Sequence, residues 1–360
     1  MRPVLVIAEA GVNHDGLLTR ALELVDAAAD AGADYVKFQT FTAASIVMPS
    51  APKARYQQRT TPADETQFEM LRRLELSHPD HRELARHARE RGIGFLSTPF
   101  DRSSLAFLVD DMKLDLVKLP SSDLTNLPLL LDASRSRAAL IISTGMATMG
   151  EVERALAVLA FGATRPGPPP RDPDWDEAFM NPESQRVLRE RVTILHCTSD
   201  YPAAIEDSNL YAMRTLAEAF GLPVGYSDHT QGMSASLAAV ALGASVIEKH
   251  LTLDRSLPGP DHAASAEPDE FRDLVRCIRE VESALGVAAK RPTSSEFGNR
   301  ATMRKGVYAA RDIPGGTTIS EDDVAVRRPV AAQGSEDYYS WIGATAPRSF
   351  AAGDALSWTE

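Results

Sequence analysis

The sequence predicts an α/β fold: a closed barrel of eight parallel strands, each followed by a helix, with a small β-rich module after it. Three observations carry this. Strand-like and helix-like segments alternate from the first residues and complete eight cycles by Leu285, the count and size of a (β/α)8 TIM barrel. Each strand-like run ends in polar residues, as strand ends do where this fold keeps its site. Past residue 300 the rhythm changes to short β-like runs and turn signals. A doubly wound open sheet is the rival, but eight consecutive pairs fit closure better.

The elements follow in order. Val4–Ala10 reads as a strand and Thr19–Ala31 as an amphipathic helix; Tyr35–Thr40 is the next strand, and a polar segment leads to a helix over His81–Arg91. Ile93–Thr98 is a strand and Ser103–Val109 a helix. Leu116–Ser121 pairs with Leu127–Ser134, and Leu140–Thr144 with Glu151–Phe161. Val192–Thr198 precedes Leu210–Phe220, Val224–His229 precedes Ala235–Leu242, and Val246–Leu251 with Glu270–Leu285 completes the series. The barrel is thus expected over residues 1–285. Within it, 162–190, with Arg-Pro-Gly-Pro-Pro-Pro-Arg-Asp-Pro, reads as an irregular insertion. Residues 286–300 read as a linker. Residues 301–360 form the small module, with β-like runs at Gly306–Ala309 and Asp323–Val326 and a Pro-Gly-Gly turn at 314–316. Its core is meagre, so it gains from packing on something larger.

Composition narrows the function classes. Of 360 residues, 44% are hydrophobic and 24% charged, ordinary for a globular protein, and the net charge of −12 argues against nucleic acid or an anionic membrane as partner. An anionic substrate then requires a local cluster of cations. Cys197 and Cys277 are too few for a disulfide framework and match a reducing, cytoplasmic setting. The apolar run Val4–Ala8 meets Glu9 too soon for a signal peptide, and no run approaches the ~20 residues of a membrane helix.

Parallel barrel strands are covered on both faces, so polar residues in them are costly unless they work. The strand ends carry Glu9; Lys37 and Gln39; Ser97 and Thr98; Lys118, Ser121 and Ser122; Ser143 and Thr144; His196; Ser227, Asp228 and His229; and Glu248, Lys249 and His250. Side chains two apart share a face, which pairs Lys37 with Gln39, Ser227 with His229, and Glu248 with His250. Lys37 and Lys118 with Ser121, Ser143 and Ser227 are the equipment for a phosphate or carboxylate. His229 and His250 suit a manganese, zinc, iron or cobalt ion with open coordination positions, or equally an acid/base pair. No CxxC pair, P-loop or GxGxxG follows any strand.

These residues resemble the sialic acid synthase family. The resemblance rests on Ile-Ala-Glu-Ala-Gly-Val-Asn-His-Asp-Gly (7–16), Val-Lys-Phe-Gln-Thr (36–40), Phe-Leu-Ser-Thr-Pro-Phe (95–100) and Ile-Ser-Thr-Gly-Met (142–146). Gly-Tyr-Ser-Asp-His-Thr (225–230), Ile-Glu-Lys-His (247–250) and Pro-Gly-Pro-Asp-His (258–262) extend it. Val-Tyr-Ala-Ala-Arg-Asp-Ile-Pro-Gly-Gly (307–316) and Arg-Arg-Pro (327–329) look like the family's antifreeze-like SAF domain.

The resemblance implies condensation of phosphoenolpyruvate with an N-acetylmannosamine-type aldehyde, giving a nine-carbon 2-keto acid and phosphate. Lys37, Gln39, Thr98, Lys118, Ser121, Ser143 and Ser227 match phosphoenolpyruvate-binding positions. His229 and His250 match the ligands of a divalent ion, typically manganese, with magnesium or cobalt as substitutes. Glu9 and Asp123 match catalytic carboxylates, and Tyr201, Asp261 and Arg328, with Arg327 as the alternative arginine, match sugar-contacting positions. A homodimer is implied in which each C-terminal module caps the partner's barrel. The chain departs from the family at Ser122-Asp123, where many members have Gly-Glu, at Ser199, where some have Asn, and at Val-Ala-Ala-Gln-Gly (330–334). The expected product is N-acetylneuraminate. The alternative is legionaminate, made from 2,4-diacetamido-2,4,6-trideoxymannose, with pseudaminate, deaminated sialate and non-catalytic ice or polysaccharide binding as lesser readings.

Overall fold

The computed structural model describes residues 3–62, 64–171 and 173–359. The chain divides after Gly286 into two compact units, each described by itself.

The first unit is the expected barrel. Its strands are β1 (Leu5–Gly11), β2 (Tyr35–Thr40), β3 (Gly94–Pro99), β4 (Leu116–Leu119), β5 (Ala139–Ser143), β6 (Val192–Cys197), β7 (Val224–Asp228) and β8 (Val246–His250). They run parallel in the order β3-β2-β1-β8-β7-β6-β5-β4. β3 and β4, the two ends of that ladder, lie side by side and nearly close it.

Alternation along the strands sorts the interior into layers. Ile7, Leu96, Ile141, Leu195 and Val246 fill the barrel as an apolar layer. One pleat further along the same strands, the inward positions are Glu9, Thr98, Ser143, Cys197 and Glu248, all buried. The polar layer therefore rests on a packed apolar plug rather than over a pore. Gly225 makes the plug fit, because a Cβ there would stand 2.4 Å from the Val246 carbonyl oxygen and 2.7 Å from the Leu195 side chain.

The surrounding helices bury one face each. Ala21, Leu24, Val25 and Ala28 are the buried face of Leu18–Asp30; Phe271, Leu274, Val275 and Ile278 are that of Pro268–Leu285. Both follow the i, i+3, i+4, i+7 spacing of a helix lying on a sheet. Burying each of these larger side chains stabilises by about 1.5–3 kcal/mol, and Phe271→Ala alone would cost about 3–5 kcal/mol.

Three segments differ from the sequence expectation. The helix expected at His81–Arg91 begins at His78, because Ser77 and Asp80 cap each other reciprocally. The 162–190 stretch is not irregular throughout. The preceding helix continues to Thr164, and Trp175–Met180 and Pro182–Arg191 are helical, started by the Asp174 and Asn181 side chains. The proline run obscured both caps. Within 286–300, Ser294–Met303 begins a helix capped by Thr293 with Glu296.

The second unit pairs β9 (Gly306–Ala309) antiparallel with β10 (Val324–Arg327). Its core gathers Val307, Ile313, Ile319, Phe350 and Leu356 around the fully buried Trp341, whose ring stacks on Trp358 at 3.8 Å. Aromatic area concentrated in so few residues is how a unit this small acquires a core.

Candidate active site

The polar layer opens into a cavity of about 820 Å³ at the C-terminal strand ends. Strand register sets its floor: Glu9 is level with Lys37 on one side and with His250 on the other, and Ser227 is level with Glu248. Lys37 Nζ lies 2.7 Å from Glu9 Oε2 and 3.5 Å from Glu248 Oε2, and donates to Thr98 Oγ1 at 3.2 Å. Lys118 donates to both Glu248 oxygens, at 2.9 and 3.3 Å, and Ser227 adds a hydrogen bond to Glu248 Oε1 at 2.9 Å. Gln39 reaches Glu9 Oε1 at 3.3 Å.

Both lysines are therefore engaged by carboxylates, where sequence reading alone treats them as free positive charge. Burial opposes ionisation of Glu248, but Lys118 and Lys37 outweigh it and hold this carboxyl well below its usual range. Glu9 is raised, by burial first and by the charge of Glu248, with Lys37 opposing. Lys37 stays cationic despite burial because Glu248 and Glu9 face it. Two buried cations balanced by two carboxylates form a rigid floor whose hydrogen-bonding groups are already oriented.

The imidazoles stand at one side. His229 Nδ1 meets the Thr198 carbonyl at 2.6 Å, which makes Nδ1 the protonated nitrogen and turns Nε2 toward the cavity, 3.3 Å from Ser227 Oγ. His250 Nδ1 is buried with no hydrogen-bond partner among the described residues, and Asp261 Oδ2 is 3.9 Å away. The two ring centroids are 5.4 Å apart. Burial lowers His229 to about 4, and burial together with His229 and Lys37 holds His250 well below its ordinary value. Two neutral imidazoles, each with a lone pair to offer, suit a divalent cation. Tyr201 covers them, its ring 4.2 Å from His229 and 5.6 Å from His250. Asp261 is raised to about 7 by burial and then by Glu9.

The remaining candidates sit on the walls. Ser121 accepts from the Gly145 amide at 2.9 Å and lies 3.2 Å from Cys197 Sγ. Ser143 Oγ is buried without a hydrogen-bond partner among the described residues. Asp123 lines the cavity, held by Asn126 at 2.8 Å and Ser122 at 3.1 Å. Arg328 is exposed on the second unit.

Several polar strand-end residues point the other way. Asp228 pairs with Lys249 behind the floor at 3.0 Å, His196 binds the Ser208 carbonyl at 2.8 Å, and Ser97 meets Thr40 at 2.7 Å. Tyr56 also lines the cavity, with its ring 4.9 Å from Tyr201. It lies in the long 41–77 segment after β2, where no strand period marks a cavity residue.

The NeuB family profile matches residues 24–290 and the SAF domain profile residues 304–360. The chain is 43% identical to an N,N'-diacetyllegionaminic acid synthase of Campylobacter jejuni, over 97% of this chain and 98% of that one. It is 42% identical to the corresponding synthase of Legionella pneumophila, over 98% and 93%. Among solved structures, the N-acetylneuraminic acid synthetase of Leptospira borgpetersenii in complex with citrate superposes with a TM-score of 0.67 at 32% identity, over 83% and 90% of the two chains. With its polar floor on β1, β2, β4, β7 and β8 and those matches across nearly its full length, the chain belongs to the NeuB family and carries a SAF domain at its C-terminal end.

Proposed function

We propose that this protein is an N,N'-diacetyllegionaminic acid synthase. It condenses phosphoenolpyruvate, water and 2,4-diacetamido-2,4,6-trideoxymannose into a nine-carbon 2-keto acid and phosphate. Two relatives above 40% identity, matched end to end, carry that name. They favour the legionaminate alternative over the N-acetylneuraminate product first expected from the motifs.

The observation that carries the reaction class is the Lys37–Glu9–Glu248–Lys118 floor beneath a roomy cavity. Phosphoenolpyruvate brings a carboxylate and a phosphate. Lys37 and Lys118 are fixed in place to receive them, with the hydroxyls of Thr98, Ser121, Ser143 and Ser227 and the Gln39 amide beside them. The Ser143 hydroxyl, without a partner among the described residues, is a donor available to such an anion.

His229 and His250 would hold a divalent ion, manganese first among the choices. The buried, unpartnered His250 Nδ1 and the His229 tautomer set by Thr198 support that assignment. When bound, the ion supplies Lewis-acid polarisation of the sugar's aldehyde.

The chain's own groups would do the rest. The floor holds the enol carbon facing the aldehyde, so that the new carbon–carbon bond forms between positioned reactants. Water adds to the resulting electron-poor carbon, and the carbon–oxygen bond to phosphate then breaks. Asp261, raised to about 7, is a carboxyl able to hold or release a proton near neutral pH, and Glu9, raised by burial and held by Lys37, stands beside it. Asp123 and Tyr201 offer contacts to the sugar hydroxyls.

The proposal includes a homodimer in which Arg328 reaches the partner's sugar site. Mixing an Arg328→Ala chain with a His250→Ala chain should restore activity that neither has alone. Among the described residues no helix is long and apolar enough to cross a membrane.

The deciding experiment measures phosphate release from phosphoenolpyruvate with manganese and a panel of acylated sugars. Release with the diacetamido sugar supports the reading. Release with N-acetylmannosamine alone would return the N-acetylneuraminate assignment.

A further inference from the structure

Residues 41–77, between β2 and the helix that starts at His78, are longer than a barrel connection needs, and they build one whole wall of the cavity. The opposite wall, from the ends of β4 to β6, presents Asp123, Asn126 and Ser199, groups suited to hydroxyls. The 41–77 wall differs in kind. Ile46, Val47 and Leu71 line the cavity while only half-buried. Met70 and Leu74, fully buried behind them, hold Ile46 and Leu71 in place.

The polar side chains on this wall are largely occupied with one another. Ser45 is tied to Thr42 at 2.7 Å. Gln57 Oε1 accepts from the Ala54 amide at 2.9 Å and from Gln67 at 3.4 Å. Gln57 Nε2 donates to the Tyr56 hydroxyl at 3.3 Å. That last bond uses a lone pair of Tyr56 and leaves its O–H proton without an acceptor among the described residues. Its ring is fixed against Tyr201. Among the described residues the wall thus offers apolar surface with the Tyr56 O–H as a donor beside it.

One acceptor carbonyl beside a methyl is the chemistry of an acylamino group. A hydroxyl placed here would satisfy one hydrogen bond and leave the rest of its capacity against hydrocarbon, which is unfavourable. The aldehyde end of the sugar is committed to the floor by the reaction, so the wall meets substituents further along the chain. We infer that the 41–77 segment reads the sugar's second acylamino group, whose carbonyl accepts from Tyr56 and whose methyl packs on Ile46, Val47 and Leu71. This rests on the synthase reading above and makes that segment the part of the barrel that separates a diacetamido sugar from a monoacetamido one.

The test uses the full chain and steady-state phosphate release with two sugars, 2,4-diacetamido-2,4,6-trideoxymannose and N-acetylmannosamine. The variants are Tyr56→Phe, which removes only the hydroxyl, and Val47→Thr, which keeps the shape and adds a polar group. The unaltered chain should favour the diacetamido sugar at least tenfold in kcat/KM. Each variant should lower kcat/KM for that sugar about five- to tenfold, as the loss of one hydrogen bond or methyl contact does. The KM for phosphoenolpyruvate should stay within twofold, which shows the floor intact. Equal use of both sugars by the unaltered chain overturns the inference. So does a diacetamido kcat/KM within twofold of the original in both variants. Phosphate release with neither sugar removes the synthase reading itself, and the inference with it.

Discussion

Asp228 and Lys249 face each other across the β7–β8 ladder, 0% and 3% exposed, with Lys249 Nζ 3.0 Å from Asp228 Oδ2. Each directly precedes one of the paired histidines, His229 and His250. The other oxygen of Asp228 accepts from the Thr230 amide and hydroxyl, Ser236 donates to Oδ2, and Lys249 also reaches the Thr230 carbonyl at 2.7 Å. Every strong lone pair there has a partner, so the pair locks the two strand ends together behind the imidazoles. Lys249→Met would leave a buried carboxylate uncompensated and should lower stability by about 3–5 kcal/mol. Combining it with Asp228→Asn should recover part of that loss, since the stranded charge is gone. Urea unfolding of the two single variants and the double one measures the coupling, and simple additivity would refute it.

His229→Ala and His250→Ala should each weaken manganese binding by about 100-fold or more while leaving the fold intact. Titration of bound manganese by electron paramagnetic resonance reads this directly, and unchanged affinity in either variant removes that residue as a ligand. Activity should fall with the affinity.

Much of this site is legible in the strand ends because a period of two makes a checkable statement. Lys37 with Gln39, Ser227 with His229 and Glu248 with His250 share the inner face, and the structure places all six around one cavity. The same rule sends Asp228 and Lys249 outward, which a plain count of polar strand ends does not register. The pairing of Lys118 with Glu248 depends on which strands meet across the barrel, information that local pattern lacks. Tyr56 lies in a connection without a period, so only the folded chain brings it to Tyr201. The helices at Trp175–Met180 and Pro182–Arg191 were hidden by the prolines before them, although Asp174 and Asn181 are ordinary caps.

Gly145 marks a backbone position with no space for a side chain. A Cβ there would stand 2.2 Å from Ser199 Oγ and 2.9 Å from both Cys197 Sγ and Ser121 Oγ. Gly145→Ala must therefore displace Ser121, which accepts from the Gly145 amide and is one of the proposed phosphoenolpyruvate contacts. The KM for phosphoenolpyruvate should rise about tenfold or more, and the KM for sugar should rise as well because Ser199 is displaced with Ser121. A variant that binds phosphoenolpyruvate normally by calorimetry would place Ser121 outside that subsite.

Asp323 in the second unit supports a prediction about pH. Its Oδ2 accepts from the Ser320 amide at 2.7 Å and hydroxyl at 2.6 Å, and Arg311 Nε donates to Oδ1 at 2.6 Å. Arg311, then Ser320, lowers this carboxyl to about 2 from an ordinary value of 3.8. A folded-state value below the unfolded one means stabilisation that is full above pH ~4 and lost as pH falls toward 2. Arg311 is largely exposed, so solvent screens its share and the fixed Ser320 contacts carry most of the effect. Asp323→Asn should cost about 1 kcal/mol at pH 7, and the gap between variant and parent should close below pH ~3. Trp341 and Trp358, two of the three tryptophans, stack in this unit, so tryptophan fluorescence during urea unfolding reports mainly on it. A gap that stays constant from pH 7 to pH 2.5 would show that the charge of Asp323 does not stabilise the unit, leaving only the shape of its side chain to do so.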